Sequence, residues 1–515
     1  MRYTGIENEF TVFKRPAPGM PKKDSFDFFH LVRWPLEERG MLGDEIVNPK
    51  TQQYGISLGQ SLWLANGGRI YRDGSTLEYA SPECRTIEEL VLVEKAGDLI
   101  VETACRDFGA IDDIFLMKRT ATRGTTQGKV GGSPTVTWGS HESYAIQANL
   151  YQKLTKETCA TPEGVILRWH FAGRQTICGA GHLGYLYGYG HKPIFWVSPR
   201  TQFIYSEVNS STKTLGRSII NSRDEPHMDG NLSDMKRLHI IIGDMNRSDW
   251  SVYLRFGTTV LVLAYLAFSP RENREKLLEL LPARKDLVAQ AKLASICFSD
   301  ERHQPLFAEL LDSQRRIRDA ISDNEEILKE KVQEFDTIME NWSGALDAVS
   351  SLDPEHPFAK RLDWLIKKNL FENISGYDIG NVGESGADIT NELFSLDFSY
   401  HRLNCSDFYR RLLGDGLAEE MFEKSAAEKY CFSPPKGRAT VRAVEAIRYI
   451  RELGLGEHVY LVNLSKIVFI RRKGLNFPTT DGKGKSKDLR DLIIDDRNFE
   501  EIKLEIDDIY EWTRR

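Results

Sequence analysis

At 515 residues and a formal net charge of −7, the chain can bury a large core in more than one domain, and its charge gives no sign of a general nucleic-acid binder. Composition is that of an ordinary globular protein, and the longest apolar run, residues 259–268, is too short to span a bilayer. The seven cysteines are odd in number, scattered and without a CxxC pair, which supports neither a zinc site nor a disulfide framework. They read as reduced thiols of a cytoplasmic protein, and no apolar signal region precedes the first strand.

From the start to about residue 260, short β-branched and aromatic runs alternate with Gly-rich turns, which predicts a strand-rich half. The first strand carries Glu7 and Glu9, two residues apart and therefore on one face. Asp73 and Glu78 form a second acid pair in the strand-like stretch 66–79. Carboxylates crowded on one face repel unless a cation sits among them, and magnesium or manganese prefers such oxygen ligands. Residues 87–106 predict a helix with Leu90, Val91, Val93, Ala96, Leu99 and Ile100 on its apolar side.

Further clusters follow. Residues 138–144 place His141 and Glu142 beside a Gly-Ser turn, and residues 221–227 hold Arg223, Asp224, Glu225 and His227. Arg237 and His239 lead into a buried strand over 239–244, while the run Ile219-Ile220 stops at Asn221. Residues 179–184 match GxGxxG, but the Gly-rich stretch after them, ending in Pro193, is a poor helix. That argues against a dinucleotide fold.

Beyond 270, Leu310, Ile317, Ile321, Leu328, Val332, Phe335 and Met339 recur at helical steps. They predict one unusually long amphipathic helix with a solvated charged face, in a helical segment of about 270–350. Residues 352–425 read as helical and polar. Pro434-Pro435 ends that run, so the chain divides into 1–432 and a small C-terminal domain, 433–515. In the latter, Val444, Ile447 and Ile450 mark a helix, Tyr460, Leu461 and Val462 a strand, and residues 471–487 a basic loop.

The charges suggest a division of labour. Acids near the N-terminus hold cations, and arginines near 200–240 hold anionic oxygens, for which the planar guanidinium suits phosphate. Cations and arginines facing each other across phosphates are the general arrangement for phosphoryl transfer, and Asp73 is then the candidate general base.

Taken in order, these stretches resemble the Pup ligase and depupylase family, the proteasome accessory factor group, related to glutamine synthetase and other carboxylate-amine ligases. The resemblance extends through residues 362–367 and 396–401 and through Pro434-Pro435 with Arg438 and Arg442, so it spans most of the chain. It implies an α+β, glutamine synthetase-like fold: a curved antiparallel sheet forming a cradle, helices outside, and a small C-terminal domain. It implies ATP with two or more Mg2+ ions. In the ligase branch the C-terminal glutamate side chain of the small protein Pup is phosphorylated, and a protein lysine attacks to give an isopeptide bond; the depupylase branch hydrolyses that bond or deamidates Pup.

By position, the resemblance implies metal-site roles for Glu7, Glu9, Tyr71, Glu78 and Glu142. It implies catalytic roles for Asp73, Arg223 and His239, and nucleotide contacts from Arg200, Arg217, Arg223, Arg237, His239, Arg438 and Arg442. Two motifs depart from the family. Its usual His-Pro-Glu-Tyr reads Thr76-Leu77-Glu78-Tyr79, and its His-Glu-Asn-Tyr reads His141-Glu142-Ser143-Tyr144. The stretch before Trp63 is also shorter than the depupylase's loop insertion. The expectation is an ATP- and Mg2+-dependent enzyme that phosphorylates a carboxylate of Pup or a Pup-like protein and passes it to an amine, with no nucleic-acid or membrane partner. The alternatives are a phosphotransferase, ATPase or small-molecule carboxylate-amine ligase, a depupylase- or deamidase-type amidohydrolase, and a non-catalytic paralogue that binds a partner.

Overall fold

The computed structural model describes residues 3–14, 32, 35–41, 61–73, 76–107, 114–121, 129–130, 133–134, 136–155, 161–185, 192–211, 216–223, 235–283, 286–295, 304–403, 408–436, 446–453, 459–462, 466–470, 489–493 and 499–514. Its centre is a nine-stranded sheet. The strands are β1 (Thr4–Lys14), β2 (Ser61–Trp63), β3 (Arg69–Asp73), β4 (Thr76–Ala80), β5 (Ile114–Met117), β6 (Ser140–Gln147), β7 (Ser206–Asn209), β8 (Ser218–Asn221) and β9 (Met235–Ile240). They run in the order β7-β8-β9-β6-β1-β4-β3-β2, with β5 beside the far half of β1. All neighbours are antiparallel except β7 and β8. β1 is long because its two halves serve different partners: residues up to Phe10 pair with β4 and β6, and residues from Thr11 pair with β5.

Helices cover one face of the sheet. α1 (Ile87–Asp107) packs on β1. α2 (Pro162–Cys178) starts at Thr161, whose hydroxyl accepts from the Gly164 amide, with Pro162 in the first turn where its missing N–H costs nothing. α3 (Asp249–Phe268) is long and apolar enough to cross a membrane, but it is buried along most of its length as the core helix of the layer. Its ring contact between Phe256 and Tyr144 of β6, centroids 5.6 Å apart, joins helix layer to sheet.

The single long helix expected beyond 304 is two helices, α4 (Gln304–Ser322) and α5 (Phe335–Ser351), with a short turn of helix, Glu325–Lys329, between them. The break falls at Asp323-Asn324. There the Asn324 side chain donates to the Ala320 carbonyl at 2.8 Å and accepts from Asn273 at 2.7 Å, competing locally with helix continuation. Leu310, Ile317, Ile321, Leu328 and Phe335 are all buried, so the periodicity reports one core served by successive helices.

α6 (Asp363–Ser375) and α7 (Ala387–Tyr400) follow. The stretch read as helical and polar buries an ionic cluster. Lys367 donates to Asp397 at 2.8 Å, His182 Nδ1 lies 2.8 Å from the same carboxylate, and Lys367 Nζ is 2.6 Å from His401. The GxGxxG match follows a helix and itself runs into the strand His182–Gly184, the reverse of a dinucleotide-binding turn. Near the C-terminus, β10 (Val459–Val462), β11 (Lys466–Ile470) and β12 (Leu489–Ile493) form an antiparallel sheet in sequence order. α8 (Phe499–Arg514) follows and buries Ile502, Ile506 and Ile509. The basic loop 471–487 lies outside the described residues.

Candidate active site

Register decides which side chains meet. Glu9 stands opposite Glu78, and Tyr71 opposite the same Glu78. Glu7 stands opposite His141, and Ser143 opposite His239. Asp73 closes the β3–β4 hairpin opposite Thr76. Since directly paired residues of neighbouring strands share a face, Glu7, Glu9, Tyr71, Asp73, Glu78, His141, Ser143, Arg237 and His239 all line the face away from the helices. Asn8 and Glu142 line the other.

Two groups form on that face. Ligand-type atoms of Glu9, Asp73 and Glu78 lie within 4.8 Å of one another, as do those of Glu7, His141 and His239. In the first group, burial and then the charges of Glu7 and Glu9 hold the Glu78 carboxyl well above the usual carboxylate range. Tyr71, which hydrogen-bonds Glu78, is raised by desolvation and by that carboxylate. Asp73 reaches solvent, yet the surrounding sheet strips enough water from it, together with Glu9, to push its pKa up; His141 and Arg223 pull the other way. An all-oxygen donor set whose acids disfavour each other's ionised form fits a divalent cation.

The second group already has positive partners. Arg237 Nη2 donates to Glu7 Oε1 at 2.8 Å, and its Nε donates to Ser143 Oγ at 2.9 Å. Glu7 Oε2 lies 3.8 Å from His141 Nδ1 and 3.6 Å from His239 Nε2. The two imidazoles meet edge to face, centroids 5.4 Å apart. Beside Glu7 and Arg237 opens a cavity of about 60 Å³, lined by Tyr3, Gly5, Arg69, Ala80 and Ala145.

The structure moves several expected residues. Glu142 is not on the site face: fully buried, it receives both Nη atoms of Arg174, at 2.8 and 2.6 Å. Side chains alternate along a strand, and 142 is out of phase with 141 and 143. Arg200 is buried, donating from Nε to the Ile241 carbonyl at 3.1 Å and from Nη1 to Thr137 at 3.1 Å. Only Nη2 approaches the site, 3.3 Å from His141 Nε2, and burial pulls this guanidinium down to about 10. Arg237 faces Glu7 and Ser143 as described.

Arg217 lies beside Arg200, its charge helping to lower that group. Arg223 is exposed just beyond β8, its amide held by Asn221 Oδ1 at 2.8 Å, with its charge felt at Asp73. Arg438, Arg442 and residues 224–227 lie outside the described residues.

His141 and Ser143 stand on the same face as Glu7 and Glu9 although neither stood among the expected site residues; both are in phase with the strand's outward positions. Gly139 was also missed. A side chain there would lie 2.6 Å from Arg200 Nη2 and 2.7 Å from His141 Nε2, so it would have to displace one of those two groups.

The family model described as Pup-ligase protein matches residues 2–455. The chain belongs to the Pup-ligase family. A Pup–protein ligase of Acidimicrobium ferrooxidans is 28% identical over 428 residues, 79% of this chain and 84% of the relative. One from Micrococcus luteus is 30% identical over 449 residues, 83% and 88% of the two chains. Among solved structures, the complex between the prokaryotic ubiquitin-like protein Pup and its ligase PafA matches with a TM-score of 0.66 at 20% identity, covering 100% of this chain and 92% of that one. PafA in complex with ADP matches at 0.62 and 22%, covering 97% and 98%. The α+β class expected from the sequence, a large sheet with helices on one face, is the fold of these proteins.

Proposed function

We propose that this chain is an ATP- and Mg2+-dependent Pup–protein ligase. The observation that carries the reading is the juxtaposition on one sheet face of an acid group, Glu9, Asp73 and Glu78, and a cation-balanced group, Glu7 with Arg237, His141 and His239. In the Pup-ligase family such a face suits a nucleotide triphosphate laid between metal and arginine. Bound Mg2+, held by Glu9, Glu78 and Tyr71 with Glu7 and His239 as the second set, would neutralise phosphate charge.

The chain's own residues do the rest. Arg223, exposed at the end of β8 and electrostatically coupled to Asp73, stabilises charge on the transferred phosphoryl group. A carboxylate oxygen of the substrate's terminal glutamate bonds to the γ-phosphorus and ADP leaves. The lysine nitrogen then bonds to the acyl carbon, phosphate leaves, and the amine's proton passes to Asp73. A raised carboxyl pKa brings that base closer to the working pH. The reading keeps residues 433–515 as a small C-terminal domain and Arg438 and Arg442 as candidate nucleotide contacts. It places the reaction in the cytoplasm, where the buried thiols Cys84, Cys178 and Cys431 stay reduced.

The test is incubation of the purified chain with ATP, Mg2+, a Pup-like peptide ending in Gly-Gly-Glu and a lysine-bearing acceptor protein, followed by intact mass. The expected product is an acceptor heavier by the peptide less one water. Phosphate release with no adduct would instead assign a phosphotransferase or ATPase.

A further inference from the structure

Strands that cover a helix layer ordinarily bury apolar side chains. β6 does otherwise. Its positions toward the helices begin Ser140, Glu142, Tyr144, and all three are buried. Glu142 receives Arg174 from α2 through two parallel hydrogen bonds, and Tyr144 donates to Glu142 Oε2 at 2.5 Å. Ser140 donates to Asn8 Oδ1 of β1 at 2.6 Å and accepts from Arg255 Nη2 of α3 at 2.8 Å. Arg174 also donates to the Arg255 carbonyl at 3.0 Å and to Thr259 Oγ1 at 2.6 Å. The chain after β9 passes so close over this spine that a side chain at Gly243 would lie 2.3 Å from the Ser140 carbonyl.

A buried ion pair of this kind contributes little net stability, because losing water costs each charge about what their attraction returns. What it does define is register. A slip of β6 by one residue would bring Glu142 to the site face and bury His141, and it would break both guanidinium bonds at once. On the site face, His141 stands between Glu7, Glu9 and Arg200, and Ser143 holds Arg237 against Glu7.

We propose that the Glu142–Arg174 pair is a register lock: two positioning residues that touch no substrate and hold His141 and Ser143 in place at the site. The role rests on the assignment of this face to ATP and metal.

The experiment compares the full chain with the variant E142L/Y144F/R174M, which replaces the pair and its hydroxyl partner by apolar groups of similar size. Three readouts are taken: melting temperature, the imidazole proton resonance of His141 (assigned with His141→Gln), and the Mn2+–ATP dissociation constant. The lock predicts cooperative melting within a few degrees of the parent, a split or displaced His141 resonance, and Mn2+–ATP binding at least about tenfold weaker. A parent-like His141 resonance with parent-like Mn2+–ATP affinity overturns the proposal. So does failure to fold, since the pair would then serve stability. The two readings fail separately: a parent chain that forms no Pup adduct sinks the ligase assignment, while the ligand-free His141 resonance still decides the lock.

Discussion

Glu7 and Glu9 stand two residues apart on one strand, yet their neighbours treat them differently. Glu7 faces β6 and β9, which bring Arg237 to 2.8 Å and two imidazoles around it. Glu9 faces β4 and, beyond it, β3, which bring two further acids, Glu78 and Asp73. The difference shows that one sheet face can hold a charge-balanced corner and an acid-rich corner a single pleat apart. Strand order assigns them, because the acids arrive on one side of β1 and the bases on the other. A triphosphate needs both corners, and the chemistry should divide between them.

The sharpest way to break that division is Asp73→Asn. If the acid corner supplies the base, turnover should fall by about 10²–10⁴-fold, while ATP binding measured calorimetrically stays close to the parent value. Undiminished turnover would remove Asp73 from proton transfer and leave the two corners with no division of labour.

The next largest effect separates the corners as metal sites. Mn2+ titrated without nucleotide should lose about 10–100-fold in affinity in Glu9→Gln or Glu78→Gln, taking that range from the loss typical even of a ligand's supporting residues. It should lose less in Glu7→Gln, because Arg237 already compensates Glu7. Equal losses at Glu7 and Glu9 would mean that Arg237 moves away when an ion binds and that the asymmetry belongs to the ligand-free form alone.

Most of the acid-rich corner was legible in the sequence, since an i, i+2 pair of glutamates in a strand has one geometric meaning. Arg237 and His239 were legible as charged residues leading into a buried strand. Glu142, whose metal-site role the family resemblance implied, is in phase with Tyr144 and Ile146, both buried, so strand alternation points it away from the acid face. Its partner Arg174 could not be read, because a pairing between a strand and a helix 32 residues on is fixed only by packing. The same holds for Lys367 and Asp397, 30 residues apart and fully buried. Helical periodicity ran on past Asn324 because α4 and α5 bury their apolar faces in one core, so spacing alone carried no mark of the break.

The smallest effect is a slope. Burial raises carboxyl pKa values on both sides of the sheet: Glu78 and Asp73 on the site face, and Asp98 and Asp244, each pushed up to about 6, on the helix side. For an acid raised on folding, the native state binds the proton more tightly than the unfolded chain does. Stability is therefore highest below the unfolded pKa and falls as pH rises through the folded one. For Asp98 and Asp244 that window runs from 3.8 to about 6. The contribution of these acids to metal-free stability should accordingly fall as pH is raised from about 4 toward 7, against the opposite slope of the buried His170, His182 and His401, whose pKa values desolvation lowers. Saturating Mg2+ should flatten the site-face share, because a cation favours the ionised form of Glu78 and Asp73, whereas Asp98 is already paired with Lys118 at 3.0 Å and Asp244 with the Ala180 and Arg200 amides. Glu78→Gln should remove the Glu78 part of that share, leaving Mg2+ a smaller slope to flatten in the variant than in the parent. A slope that Mg2+ leaves untouched would place the acid corner's strain elsewhere than in its carboxylates and erase the contrast between the two sides of β1.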